Sequence, residues 1–211
     1  MAPDRMARNV EIKARVTNPL KLYARARALA DTGPVELMQD DTFFHCPSGR
    51  LKLRVLSESE GQLIFYERAN SLGPKESRYV IWTTSSPDAL RARLTAALGE
   101  RGRVRKKRTL FLCGNTRIHC DEVEGLGSFM ELEVVLADGE AAEDGIAIAR
   151  RIMAQLGVSE RQLVDTAYVD LLADRDCAVA SPASIGRART SARSSSTNVS
   201  TGRAAPSRSK A

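Results

Sequence analysis

From Arg50 to Val55 every second residue is basic: Arg50, Lys52 and Arg54 alternate with Leu51, Leu53 and Val55. A period of two makes this segment a β-strand with its cations on one face and its apolar side chains on the other. Like charges stacked at i, i+2 and i+4 repel one another unless an anion lies among them. The segment Asn9–Val16 repeats the pattern. Asn9, Glu11, Lys13 and Arg15 share one face, and Val10, Ile12, Ala14 and Val16 share the other. A fold for this chain must cover the apolar faces. It must also give the charged faces either water or a polyanion.

The remaining elements follow from punctuation and period. Asn18-Pro19 opens a helix as N-cap and first helical residue, with Leu22, Ala26 and Leu29 on its apolar face and Gly33-Pro34 as its stop. Strands are expected at 39–45, 62–68, 76–82, 104–112, 116–122 and 129–136. A turn falls at Pro47-Ser48-Gly49, and a loop contains Gly73-Pro74. Ser86 opens a helix from Pro87 to Leu98 that Gly99 closes, and Glu143–Leu156 is a helix ending at Gly157. Ser159 with Gln162 reads as a capping box for a last helix running to about Leu172. About eight strands and four helices, joined mostly by short turns, predict one α+β domain around a large antiparallel sheet. No internal repeat is visible.

Composition narrows the class. Apolar residues make up 43% of the 211, enough for a buried core. No run of ~18 apolar residues provides a membrane span, and Met1–Arg8 lacks the apolar block of a secretory signal. The four cysteines show no C-x-x-C spacing and read as reduced thiols of a cytoplasmic protein. Cys113 and Cys120 read as small core fillers. The two histidines, His45 and His119, read as satisfied barrel residues rather than catalysts, and argue against a zinc site. The net charge is +6, but seven basic residues and two acids follow Ala173, so that tail carries +5 of it. The basic balance is therefore no argument for specific nucleic-acid binding by the folded part. The stretch from Ala178 onward, rich in Ser, Ala and Arg, is expected to be disordered. The expected organisation is a domain over 6–173 and a tail over 174–211.

The charged strand residues sort into two sets. Lys13, Arg50, Lys52, Arg54, Arg68, Lys75, Lys106, Arg108 and Arg117 are basic; Glu11, Asp121, Glu131 and Glu133 are acidic. Glu131 and Glu133 share one face of one strand. Clustered carboxylates suit Mg²⁺ or Mn²⁺, which favour hard oxygen ligands. Beside a basic channel such a metal implies triphosphate chemistry. From pattern alone, a solvated sheet face remains the competing reading.

The residues resemble the CYTH family, the triphosphate tunnel enzymes that include class IV adenylate cyclases, thiamine triphosphatases and inorganic triphosphatases. The family opens on E-x-E-x-K; here Asn9-Val10-Glu11-Ile12-Lys13 matches at the second Glu and the Lys. Arg50-Leu51-Lys52-Leu53-Arg54, Tyr66-Glu67-Arg68, Lys75-Glu76-Ser77-Arg78-Tyr79 and Lys106-Lys107-Arg108 follow in order. Asp121-Glu122-Val123-Glu124-Gly125-Leu126-Gly127 then leads into Glu131-Leu132-Glu133. That stretch, with Tyr168-Val169-Asp170-Leu171-Leu172, is most similar to the class IV cyclase branch.

The resemblance implies an eight-stranded antiparallel closed barrel with helices outside and the charged faces in its lumen. It implies that Glu11, Asp121, Glu131 and Glu133 hold Mg²⁺ or Mn²⁺. It also implies that Arg50, Lys52, Arg54, Arg68, Lys75, Lys106, Arg108 and Arg117 bind a small-molecule triphosphate. Lys13 would contact phosphate or, as in hydrolytic members, help to activate water; Glu11 and Lys13 are the catalytic candidates. Asn9 departs from the pattern, since a neutral amide weakens metal binding and puts a second metal in doubt. The activity implied is cyclisation of ATP to cyclic AMP and pyrophosphate. The alternatives are hydrolysis of tripolyphosphate, thiamine triphosphate or a nucleotide, or binding without turnover. A homodimer is compatible with such barrels.

Overall fold

The computed structural model describes residues 6–180; the expected disordered tail lies outside them from 181 onward. The strands are β1 (Ala7–Arg15), β2 (Thr32–Phe44), β3 (Arg50–Ser57), β4 (Glu60–Arg68), β5 (Lys75–Thr84), β6 (Glu100–Cys113), β7 (Thr116–Val123) and β8 (Gly127–Val135). The helices are α1 (Pro19–Leu29), α2 (Pro87–Leu98), α3 (Ala142–Leu156) and α4 (Tyr168–Ala180). The strands close into a barrel in the order β1-β5-β4-β3-β2-β6-β7-β8, with every neighbour antiparallel. Among the described residues no helix is long and apolar enough to cross a membrane.

Closure resolves the conflict posed by the charged strand faces. The apolar alternates point outward under helices, and the charged ones point into the lumen. Val10 and Ile12 of β1, and Leu132 and Val134 of β8, pack beneath Ala149, Ile152, Met153 and Leu156 of α3. Gly145 lets that helix come close, because a Cβ there would lie 2.7 Å from Leu136 Cδ2 and 2.8 Å from Val10 Cγ2. Gly157 takes the left-handed conformation (φ 68°) that ends the helix. On the next strands, Leu22 and Ala26 of α1 cover Phe111 and Ile118, and Tyr23 meets the Phe111 ring edge-on at 5.2 Å. Asn18 Oδ1 accepts from the Lys21 amide at 3.0 Å, the cap its position predicts, worth about 1 kcal/mol. Cys113 and Cys120 pack at the edge of this core.

Three expectations shift. Strand β2 begins at Thr32, seven residues before the expected start, and carries Gly33-Pro34 inside it. Strand β6, which begins at Glu100, supplies the extra ladder partners, and the register shifts between Thr32 and Val35. The capping box is present, but it serves a single 3₁₀ turn, Glu160–Gln162, rather than a long helix. Beyond it the chain is drawn into pairing with β1: Leu163 bridges Ala14, and the Val164 amide donates to the Lys13 carbonyl. The last helix therefore starts only at Tyr168. It then runs past the end expected near Leu172, with Arg175 donating to the Gly125 carbonyl at 2.8 Å.

Candidate active site

Alternate residues of all eight strands line a lumen of about 410 Å³. Seven cations (Lys13, Lys52, Arg54, Arg68, Lys106, Arg108, Arg117) and four carboxylates (Glu11, Asp41, Glu131, Glu133) face it. The excess is positive, as a multiply charged anion requires. Period-two alternation is what puts them there. Register then decides who meets whom: Lys13 lies opposite Glu131 and Glu11 opposite Glu133 on the β1–β8 pair. On the β7–β8 pair, His119 faces Glu131 and Arg117 faces Glu133.

Ala167 and Tyr168 reach into one end of the lumen. Lys13 Nζ sits 3.9 Å from the Tyr168 ring centroid, 3.3 Å from Glu131 Oε1, and donates to the Thr166 carbonyl at 3.1 Å. Burial pushes the Lys13 pKa down, and Glu131 offsets only part of that. Lys106 also lies against the Tyr168 ring, 4.9 Å from its centroid. At the opposite ends of their strands the lining turns apolar, with Leu37 on β2, Leu56 on β3, Ile81 on β5 and Leu110 on β6. The lumen thus has a densely charged end and a more apolar one, where Arg117 and Glu133 also lie.

Two buried aspartates hold the cations in place. Asp121 accepts from Arg108 Nε and Nη2, both at 2.6 Å, from Lys106 Nζ at 3.0 Å, and from the Tyr168 hydroxyl at 3.1 Å. Both of its oxygens are thereby engaged, and it anchors Lys106 and Arg108 in place. Asp41 does the same on β2. It accepts from Arg54 Nε at 2.7 Å, Arg54 Nη2 at 2.8 Å and Lys52 Nζ at 2.8 Å. Burial alone would raise the Asp41 pKa, but Arg54 and Lys52 hold it well below the usual carboxylate range. The Lys52 pKa is pushed down to about 8 by burial and by Arg54. Asp41 escaped the sequence reading because Asp40-Asp41 is an adjacent pair in a stretch without charge alternation.

The other expected residues divide. Lys75 is buried at the end of β5 and donates to the Ser71 carbonyl at 2.7 Å; burial and Arg68 lower its pKa to about 8. Arg50 lies at the same end, donating to Asn70 Oδ1 at 2.9 Å, with Asp170 at 3.6 Å. Neither lines the cavity itself. Glu11 is ion-paired to Arg68. Glu131 is paired to Arg108 and Lys13. Burial opposes its ionisation, but Lys106, Lys13 and Arg108 keep it well below its ordinary value. Glu133 meets Arg117 at 3.3 Å.

The histidines come out differently from their expectation. His45 is exposed and does not face the lumen. His119 does face it and is buried, but it is not satisfied: its Nδ1 has no hydrogen-bond partner and stands 3.7 Å from Glu133 Oε1. Burial, then Arg108, push its pKa down to about 4, so the ring is neutral. Ligand atoms of His119, Glu131 and Glu133 lie within 4.8 Å of one another. Asn9 Oδ1, buried in the same lumen, also lacks a partner. Two carboxylates beside the buried, unmet His119 Nδ1 fit a divalent cation.

The CYTH domain profile matches residues 7–168. No curated protein sequence matches the chain. Among solved structures, a Pyrococcus horikoshii protein is similar over 77% of this chain and 98% of its own, with a TM-score of 0.68 and 22% identity. A Vibrio parahaemolyticus protein, provisionally named an adenylate cyclase, covers 78% of this chain and 97% of its own at a TM-score of 0.62 and 20% identity. A Hippeastrum protein, named the same way and described as having a dominant triphosphatase activity, covers 80% and 96% at 0.55 and 15% identity. At these identities the likeness is one of fold.

Proposed function

The chain belongs to the CYTH domain family, and from that premise we propose that it is a divalent-metal-dependent enzyme acting on an organic triphosphate. The observation that carries this is the polarity of the lumen. Most of its cations lie toward the Tyr168 end, and Leu37, Leu56, Ile81 and Leu110 line the other, which Arg117 also reaches. A linear triphosphate at the densely charged end leaves its organic group at the more apolar end, where apolar contacts favour a ring system over water.

The cations do the binding. Arg54, Arg68, Arg108 and Arg117 offer forked donors to phosphate oxygens, and Lys52 and Lys106 offer point charges. Glu131 and Glu133 would hold the cation. A divalent cation held there would supply positive charge to offset the charge that develops on the departing phosphate. Asp41 and Asp121 keep the arginine forks aimed before substrate arrives, so little reorganisation is needed when charge develops.

The first reading is cyclisation, in which a ribose 3′-hydroxyl displaces pyrophosphate from the α-phosphorus of ATP. Lys13 supports a second, hydrolytic reading. Its amine is buried, has a lowered pKa and stands beside Glu131, so in its neutral form it can take a proton from water. The triphosphatase activity described for the Hippeastrum neighbour supports the same reading.

The test is to incubate the full chain with Mg²⁺ or Mn²⁺ and, separately, ATP, thiamine triphosphate and tripolyphosphate, and to resolve the products by anion exchange. Cyclic AMP with pyrophosphate establishes cyclisation, and orthophosphate establishes hydrolysis and names the substrate. Turnover of tripolyphosphate alone would refute the role given to the more apolar end. No product from any of them, with tripolyphosphate still bound, would make the lumen a binding site only.

A further inference from the structure

His119 is the lumen residue that the phosphate-binding scheme leaves unused. Its ring is buried, it projects from β7 directly across from Glu131, and its Nδ1 has no partner. A buried polar atom left unmet is destabilising, because it loses its bonds to water and gains none in return. The nearest acceptor, Glu133 Oε1, is 3.7 Å away, too far for a hydrogen bond. The position is therefore unfavourable for His119 unless something enters between the ring and the carboxylates.

The spacing suits a cation. One ligand atom each from His119, Glu131 and Glu133 falls within 4.8 Å of the others. Around a metal with bonds of about 2.1 Å, octahedral ligands lie about 3 Å apart when adjacent and about 4.2 Å apart when opposed. Small side-chain rotations close that difference. The β1 side of the site is poor in charge: Asn9 is neutral, and the Glu11 carboxylate is paired to Arg68. The neutral imidazole of His119 on β7 restores no charge there but adds a donor atom.

We propose that His119 is a nitrogen ligand of the divalent-metal site, completing a His119–Glu131–Glu133 set that favours Mn²⁺ over Mg²⁺. The proposal deepens the reading of the lumen as a metal-dependent triphosphate site and rests on it. An all-oxygen set would suit Mg²⁺, which keeps its waters and resists nitrogen donors. An imidazole shifts preference toward transition ions, whose affinity for mixed nitrogen and oxygen sites is higher.

The test uses the full chain and Mn²⁺ itself. Electron spin-echo modulation of bound Mn²⁺ reports a directly bonded ¹⁴N without any substitution. Calorimetric titration compares Mn²⁺ with Mg²⁺ for the unmodified chain and for His119→Gln, which replaces the nitrogen donor with a carbonyl oxygen. The expected result is ¹⁴N modulation in the unmodified chain and Mn²⁺ binding at least about tenfold tighter than Mg²⁺. In His119→Gln the modulation disappears and the preference collapses while Mg²⁺ still binds. Mn²⁺ bound without ¹⁴N modulation overturns the proposal and leaves the metal-dependent reading standing. Absence of any bound Mn²⁺ overturns both. If His119→Gln does not fold, the modulation measurement on the unmodified chain decides alone.

Discussion

Asp41→Asn separates the two tasks of the lumen, remaining folded and receiving an anion. The carboxylate is buried and accepts three charge-assisted hydrogen bonds from Lys52 and Arg54, whose side chains are only 14% and 13% exposed. Removing one partner of a buried ion pair costs about 3–5 kcal/mol, because the other charges stay behind uncompensated. Asn keeps the shape and one acceptor, which favours the lower figure. For a domain of this size each kcal/mol moves Tm by about 2–4 °C, so a fall of ~6–12 °C is expected. The same substitution removes the anion that a triphosphate must displace. Tripolyphosphate should therefore raise the Tm of the variant by more than it raises that of the parent, measured by calorimetry without divalent metal so that nothing turns over. A Tm loss below about 2 °C, or equal shifts by the ligand in both proteins, would refute the reasoning.

Three further outcomes are expected. Lys52 and Lys75 have folded-state pKa values lowered to about 8; between pH ~8 and ~10.4 the unfolded chain binds more protons, so their contribution to stability rises with pH there. Triphosphate affinity should fall over the same window as the two lose charge, and titration calorimetry with thermal melts at pH 7, 8 and 9 would show the two trends diverging. Glu133→Gln should lower metal-dependent turnover ~10²-fold or more, as several kcal/mol of charge stabilisation are lost, with an unchanged far-ultraviolet dichroism spectrum. Gly145→Ala should destabilise by about 1–3 kcal/mol despite the better helix propensity of Ala, because its Cβ meets Leu136 and Val10 at under 3 Å; chemical denaturation measures the sign.

The parts of this architecture that are periodic were legible in the sequence. Arg50–Val55 and Asn9–Val16 declare both their strands and their two faces, because alternation is a local property. Helix α2 comes out at its expected bounds, Pro87–Leu98, since proline and glycine punctuate it. The sorting of basic residues left an enclosed anion site and a solvated sheet face both open, and the CYTH resemblance supplied barrel closure. Pairing across the barrel was not legible. Asp41 matters because β2 lies against β3 with Asp41 opposite Arg54, a long-range register that one strand cannot announce. His119 looked like packing because its partners, Glu131 and Glu133, are brought to it only when β8 lies against β7. The box at Ser159 and Gln162 reports a helical start but not its length, which pairing of Leu163 with Ala14 cuts short.

Barrel closure also sets a timetable. The earliest of the barrel strands in the chain, β1, hydrogen-bonds to β5 and to β8, and its β8 partners come about 120 residues later. At roughly 5–20 residues per second, β1 waits about 6–24 s for β8 to be made. Throughout that wait Val10 and Ile12 lack their β8 partners and the covering helix α3, which is made later still. Such long-range closure makes folding slow and leaves a sticky edge open early. The nascent chain is thus most exposed to misassociation before its last strand is complete, and a chaperone that shields the first sixteen residues would act where this topology is weakest.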